Sequence, residues 1–160
     1  MRRLVVLLTL LALAAPLTAA GVALAPGDGT LSVQNLDGFI EIRAKGTVIG
    51  RCDQCNLLLV ERYVGGDEID PVVSGPARRI DVDADGDSER FIGRDMRWKL
   101  VGGSFRMVVR SGVDVDLSAV GNGRVWVRGT KGSYVLNGDD TASVLSELLT
   151  FRLNATAFVP

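Results

Sequence analysis

Histidine is absent from all 160 residues. The usual general base near neutral pH and the commonest metal ligand are therefore missing. Ser-His-Asp and Cys-His nucleophilic arrangements fall with them, and the expectation is a protein that is not an enzyme. Cysteine is scarce: Cys52 and Cys55 are the whole supply. Neither lies near the N-terminus, so a lipid-modified N-terminal cysteine is excluded. A structural zinc site needs four ligands, and no second pair completes one. Beyond Ala25 no stretch is long and apolar enough to span a bilayer.

An apolar run does open the chain. Met1-Arg2-Arg3 is followed by no charge until Asp28, and Leu4 to Leu13 is almost purely apolar. Pro16 and the small residues Thr18, Ala19, Ala20, Gly21, Ala23 and Ala25 come next. A basic start, an apolar centre and a small-residue end make a secretory signal peptide. An uncleaved membrane anchor is the competing reading; Pro16 and the alanine-rich end argue against it. Residues 1–20 are the expected leader, with cleavage after Ala20 or as late as Ala25, which leaves no integral membrane segment. Residues 26–160 then read as a single β-domain. The 18 basic side chains, less Arg2 and Arg3, leave 16 against 19 acidic ones, a net charge of −3. Such a domain is not built for bulk attraction to nucleic acid.

The remainder alternates apolar and polar residues between Gly, Asn and Asp, and glycine is abundant at 19 residues. This is the pattern of strands and turns. It predicts strands near residues 30–34, 39–44, 47–52, 55–61, 96–101, 104–110, 113–117, 124–128, 133–136 and 150–154. Residues 141–149 are the one candidate helix, and 71–88 reads as a long loop. The fold class expected is all-β: a single-domain antiparallel β-sandwich or barrel, with a short β-solenoid as the alternative.

One stretch can be placed in register. Met96, Trp98 and Leu100 alternate with Arg97 and Lys99. Gly102-Gly103 offers a two-residue hairpin turn, which would pair Leu100 with Phe105, Trp98 with Met107 and Met96 with Val109. Arg110-Ser111-Gly112 fits a second, three-residue turn. The expected meander has one apolar face and one charged face. On the charged face Arg106 would lie between Lys99 and Asp116, and Asp95 would oppose Arg110. Arg97, Lys99 and Arg106 are the candidate anion-binding residues of that face, suited to an anionic polymer of the cell envelope.

Cys52-Asp53-Gln54-Cys55 has β-type runs on both sides, which disfavours a redox site at a helix start. If Asp53-Gln54 is a hairpin turn, the cysteines are cross-strand neighbours at a spacing a disulfide accepts. An exported protein also meets oxidising conditions. A Cys52–Cys55 disulfide is expected over free thiols and over metal or redox work.

Asp81-Val82-Asp83-Ala84-Asp85-Gly86 matches the first half of a calcium loop, where alternate carboxylates converge on a hard cation. The second half fails: Ser88 stands where an aliphatic residue belongs, and Ile92 where a bidentate Glu belongs. Asp81, Asp83 and Asp85 are thus candidate ligands for weakly held calcium, set against the reading of a solvated acidic loop. Asp114 and Asp116, with Glu41 and Glu61, could supply the paired carboxylates of a hydrolase. Asn154-Ala155-Thr156 is a glycosylation sequon.

Three stretches carry a resemblance: Gly46 to Arg51, Trp98 to Val109 and Gly112 to Val125. They resemble a group of small exported proteins of actinobacterial-type bacteria, β-rich and without known activity. The resemblance implies export and β-structure and supplies no site residues; Cys52 and Cys55 depart from the group's pattern. The function expected is that of a secreted or envelope-associated β-domain, binding or structural and not catalytic. Its partner would be an envelope polymer or another protein. A calcium-dependent binding module is the first alternative, and a carboxylate-based hydrolase the second.

Overall fold

The computed structural model describes residues 29–61, 71–82 and 87–155. The expected leader, Asp83, Asp85 and Thr156 of the sequon lie outside the described residues. Regular structure among the described residues is entirely β: β1 (Thr30–Val60), β2 (Val72–Ser74), β3 (Ala77–Asp81), β4 (Ser88–Leu136), β5 (Ala142–Ser143) and β6 (Leu149–Asn154). Every pairing is antiparallel. The all-β antiparallel class expected from the alternation is the class observed. Two local expectations are corrected. Residues 141–149 form no helix, because the free edge of β4 recruits β5 through Tyr134 and Ser133. Residues 71–88 are not one long loop; β2 and β3 lie in them and pair with the start of β4.

The expected strands merge into two very long ones. β1 pairs with β4 along both of its edges: Ile40 lies between Val109 and Val127, and Lys45 between Ser104 and Asn122. Partners on the two sides of a strand are about 10 Å apart. The chain from Ser104 to Asn122 would reach about 60 Å if it ran straight. β4 must therefore curl through a full turn between them. β1 does the same, since Arg106 lies between Arg43 and Val60. Each strand winds one turn in roughly 17 or 18 residues, with turns of the other running antiparallel in between. Left-handed φ values at Asn35, Gly102, Gly103, Ser111 and Asp114 mark corners of this winding.

Each turn contributes half its length to either side of a common core, which makes a two-layered sandwich. One layer holds residues 47–52, 96–101 and 115–120; the other holds 40–45, 54–60, 104–110 and 122–128. β2 and β3 lie at one edge and β5 and β6 at the other. No pairing among the described residues joins those edges, so the sheet is open and not a closed barrel. Within it, Leu149, Val127, Ile40, Val109, Leu57 and Phe91 face one another in successive strands. Phe151, Val125, Ile42, Met107 and Leu59 form the next such row. The middle members of both rows are fully buried.

The expected hairpin at Gly102-Gly103 is corrected by this topology. Residues 96–101 pair with 47–52, and 104–109 pair with 40–45. Both glycines take left-handed φ, +73° and +66°, but the chain bends there and does not reverse. The apolar alternation is nevertheless right. Met96, Trp98, Leu100, Phe105, Met107 and Val109 are all buried. β1 offers them partners with the same alternation, Val48 opposite Leu100 and Cys52 opposite Met96. Their faces were readable, and their partners were not.

The Cys52–Cys55 disulfide is present, with Cα atoms 6.2 Å apart, and fits an oxidising compartment. It does not span a hairpin, because β1 continues through it. Cys52, Cys55, Leu57 and Leu59 all point inward, so one extra residue is inserted between the two cysteines. The bridge pins that slip where β1 passes from one layer to the other.

Candidate functional site

Outward positions follow from inward ones by alternation. Ile42, Met107 and Val125 are buried, so their neighbours Arg43, Arg106 and Arg124 point away from the core. The register sets Arg152, Arg124, Arg43 and Arg106 directly opposite one another in successive strands. At about 4.8 Å per strand, this row is ~14 Å long. Asn154, Asn122, Lys45 and Ser104 run along one side of it, and Thr150, Trp126 and Glu41 along the other. The same layer's outward positions also carry Arg90, Arg110 and Arg128. Among the described residues Glu41 is the outward carboxylate of these strands.

Glu41 is almost buried, at 8% exposure. Arg43 Nε donates to its Oε1 at 2.5 Å and Arg106 Nε at 2.8 Å. Burial pushes its carboxyl pKa up, but the two guanidinium groups outweigh burial and hold it below the usual carboxylate range. Arg43 also lies over the Trp126 ring, 4.9 Å from its centroid. Arg124 and Arg152 are exposed, and no carboxylate among the described residues pairs with either. Like charges set directly opposite in a sheet destabilise it. Among the described residues one carboxylate, Glu41, pairs with two members of this row.

Arg97 and Lys99 lie elsewhere, so the single face expected for Arg97, Lys99 and Arg106 is corrected. Arg97 pairs with Arg51 and Lys99 with Ile49, whereas Arg106 pairs with Arg43 and Val60. Arg51 and Arg43 are about half a turn of β1 apart, which puts the two groups on opposite layers. Asp116, expected beside Arg106, is the partner of Arg51, whose Nε donates to its Oδ2 at 2.9 Å. The Asn35 N–H donates to Asp116 Oδ1 at 2.8 Å. Burial would raise the Asp116 pKa, but these hydrogen bonds win and lower it. Asp95 likewise does not oppose Arg110, which pairs with Asn56.

Arg97 and Lys99 instead border a groove of about 580 Å³ on their own layer. The row Lys99, Ile49, Ser118 and Ser32 forms one bank, and Ser74, Arg97, Arg51 and Asp116 the other. Gly50 lies between the banks. A Cβ there would come within 2.5 Å of the Trp98 ring, so glycine is what lets the indole pack across β1.

The carboxylates singled out for hydrolysis have separate partners. Asp114 accepts from Lys131 Nζ at 2.6 Å, while Asp116 and Glu41 are held by arginines. Neither Glu41 nor Asp116 is pushed upward, the direction a general acid needs. Glu61 sits at the end of β1, where its N–H donates to the Asp87 carbonyl. Of the calcium candidates, Asp81 faces Glu89 across the β3–β4 pair and lies 3.5 Å from Arg79. No cluster of three or more metal-binding side chains occurs among the described residues.

The arginine row escaped sequence reading, although a signal for it exists. Ile42-Arg43-Ala44, Phe105-Arg106-Met107, Gly123-Arg124-Val125 and Phe151-Arg152-Leu153 each place an arginine between small or apolar residues on a strand. Only the long-range register aligns them. No known protein family matches the chain, and neither does any curated protein or solved structure.

Proposed function

We propose that the protein is an exported, non-catalytic binding module that holds a linear polyanion of the cell envelope along the arginine row. The observation that carries this reading is the alignment of Arg152, Arg124, Arg43 and Arg106 with Glu41 as their carboxylate. The whole chain has a formal net charge of −1, so the positive charge is concentrated on this face and not general. Arginine forks bind phosphate and carboxylate groups bidentately, and a polymer that repeats such groups can engage successive strands. The leader-like N-terminus and the buried disulfide support a location outside the cytoplasm, where envelope polymers are the available polyanions.

The test is binding of poly(glycerol phosphate) and polyglutamate across a series of salt concentrations. Wild type should bind at least one of them, with affinity falling steeply as salt rises. Arg124→Gln/Arg152→Gln should weaken binding at least about tenfold and flatten the salt dependence by one to two charges. Equal affinity of this variant and wild type, or no binding by wild type, would discard the proposal.

A further inference from the structure

The groove on the opposite layer has a different chemistry. Arg97 and Lys99 border it with no ion-pair partner among the described residues, while Arg51 is already committed to Asp116. Ile49 and Val72 flank Lys99 in the same row and are 50% and 62% exposed. Large aliphatic side chains left in water on both sides of an unpaired cation are an amphipathic arrangement, not a solvated charged face. The groove's floor includes Trp98, which is only 2% exposed. The volume, about 580 Å³, lies in the range of small-molecule sites.

We propose that this groove is a second, independent site that takes a small anionic amphiphile. Its charged head is held by Arg97 and Lys99, and its hydrocarbon lies against Ile49 and Val72. A bare anion would leave the aliphatic pair unused, and a neutral hydrocarbon would leave both cations uncompensated. The head is a phosphate, sulfate or carboxylate. It can belong to a free amphiphile or to a lipid that is drawn from a bilayer.

Octyl phosphate is the probe, used below its micellar concentration and read by Trp98 fluorescence in a Trp126→Phe background. It should bind at least tenfold more tightly than either inorganic phosphate or octanol. Arg97→Gln/Lys99→Gln should lose at least tenfold in affinity, and Ile49→Ser should erase most of the advantage over inorganic phosphate. Arg124→Gln/Arg152→Gln should bind octyl phosphate as wild type does, which separates this site from the arginine row. Octyl and inorganic phosphate binding equally, or Arg97→Gln/Lys99→Gln binding like wild type while its thermal unfolding is unchanged, would overturn the proposal. Co-sedimentation with phosphatidylglycerol vesicles assigns the source as a membrane lipid, and its absence assigns a free amphiphile. Either vesicle result supports the proposal once octyl phosphate binds.

Discussion

The two outward faces are built by the same pair of strands, half a turn apart, yet they handle charge in opposite ways. On the groove face Arg51 is matched by Asp116, and the cations without partners border exposed Ile49 and Val72. On the other face Arg152, Arg124, Arg43 and Arg106 stand in line, and among the described residues Glu41 is the carboxylate that pairs within the row. The two carboxylates show the difference most directly. Glu41 is nearly buried and shared by two arginines, whereas the Asp116 side chain is 29% exposed and serves one. A cation matched by its own carboxylate costs the fold little. A row of like charges stores repulsion, which an added anion relieves. Charge of one sign gathered against that cost is the stronger sign of a binding surface.

The comparison breaks most completely when the shared support is removed. Ile42 lies beneath the arginine row, between Val125 and Met107, and is fully buried. Ile42→Ala should cost about 2–5 kcal/mol through lost burial and the cavity left behind, measured by urea unfolding. Both faces rest on this one core, so both binding activities should vanish at the same denaturant concentration. Loss of one face's binding before the other would show that the layers unfold separately.

Glu41→Gln attacks the unbalanced face alone. It removes the charge that holds Arg43 and Arg106, and should cost about 1.5–3 kcal/mol at neutral pH, the range for hydrogen bonds to charged groups. Affinity for a polyanion should rise at the same time, because a competing carboxylate is gone. The pH dependence has a definite sign. The folded pKa of Glu41 is lowered, so its stabilisation is fully present above the unfolded value, about 4.3. It fades as pH falls through the lower folded value. Glu41→Gln should flatten that acid limb, and an unchanged limb in urea melts between pH 6 and 3 would refute the assignment.

These residues also mark how far the sequence could be read. Local alternation was legible, and it placed Trp98, Met107 and Val109 inside and Arg97 and Lys99 outside. The Cys52–Cys55 bond was legible from spacing and the expected compartment, although the expected hairpin between the cysteines was not found. The strand pairing was not legible. A glycine pair such as Gly102-Gly103 permits a reversal and a bend equally, since both use positive φ. The choice was made by β1, more than fifty residues away, whose alternation fits that of β4 on both edges. That long-range match separated Arg106 from Arg97 and Lys99. It also brought Arg124 and Arg152, whose local pattern marks them only as outward strand residues, into one row. Sites assembled across a sheet depend on register, and register is a property of the whole fold.

The disulfide stands at the corner between the two faces. Its closed loop is minimal, so the chain-entropy estimate for Cys52→Ser/Cys55→Ser is only about 2 kcal/mol. Its loss should lower the melting temperature in non-reducing buffer and leave both binding sites intact at low temperature. Loss of groove binding with the fold retained would mean that the bridge also sets the position of Arg51, next to Cys52.

Asp116→Asn should produce the smallest change and sharpen the comparison most. The amide keeps an oxygen for the Asn35 N–H and removes only the charge facing Arg51. Arg51 is largely exposed, and exposed pairs of this kind contribute about 0.2–1 kcal/mol. The shift in urea midpoint should therefore be several times smaller than that for Glu41→Gln, and 1 M salt should remove most of it. Because the Asp116 pKa is lowered in the fold, its small contribution is present above about pH 4, near the unfolded value, and is lost below it. If Asp116→Asn proved as costly as Glu41→Gln, the two carboxylates would be structural equals. Charge imbalance would then no longer distinguish the arginine row from the groove face.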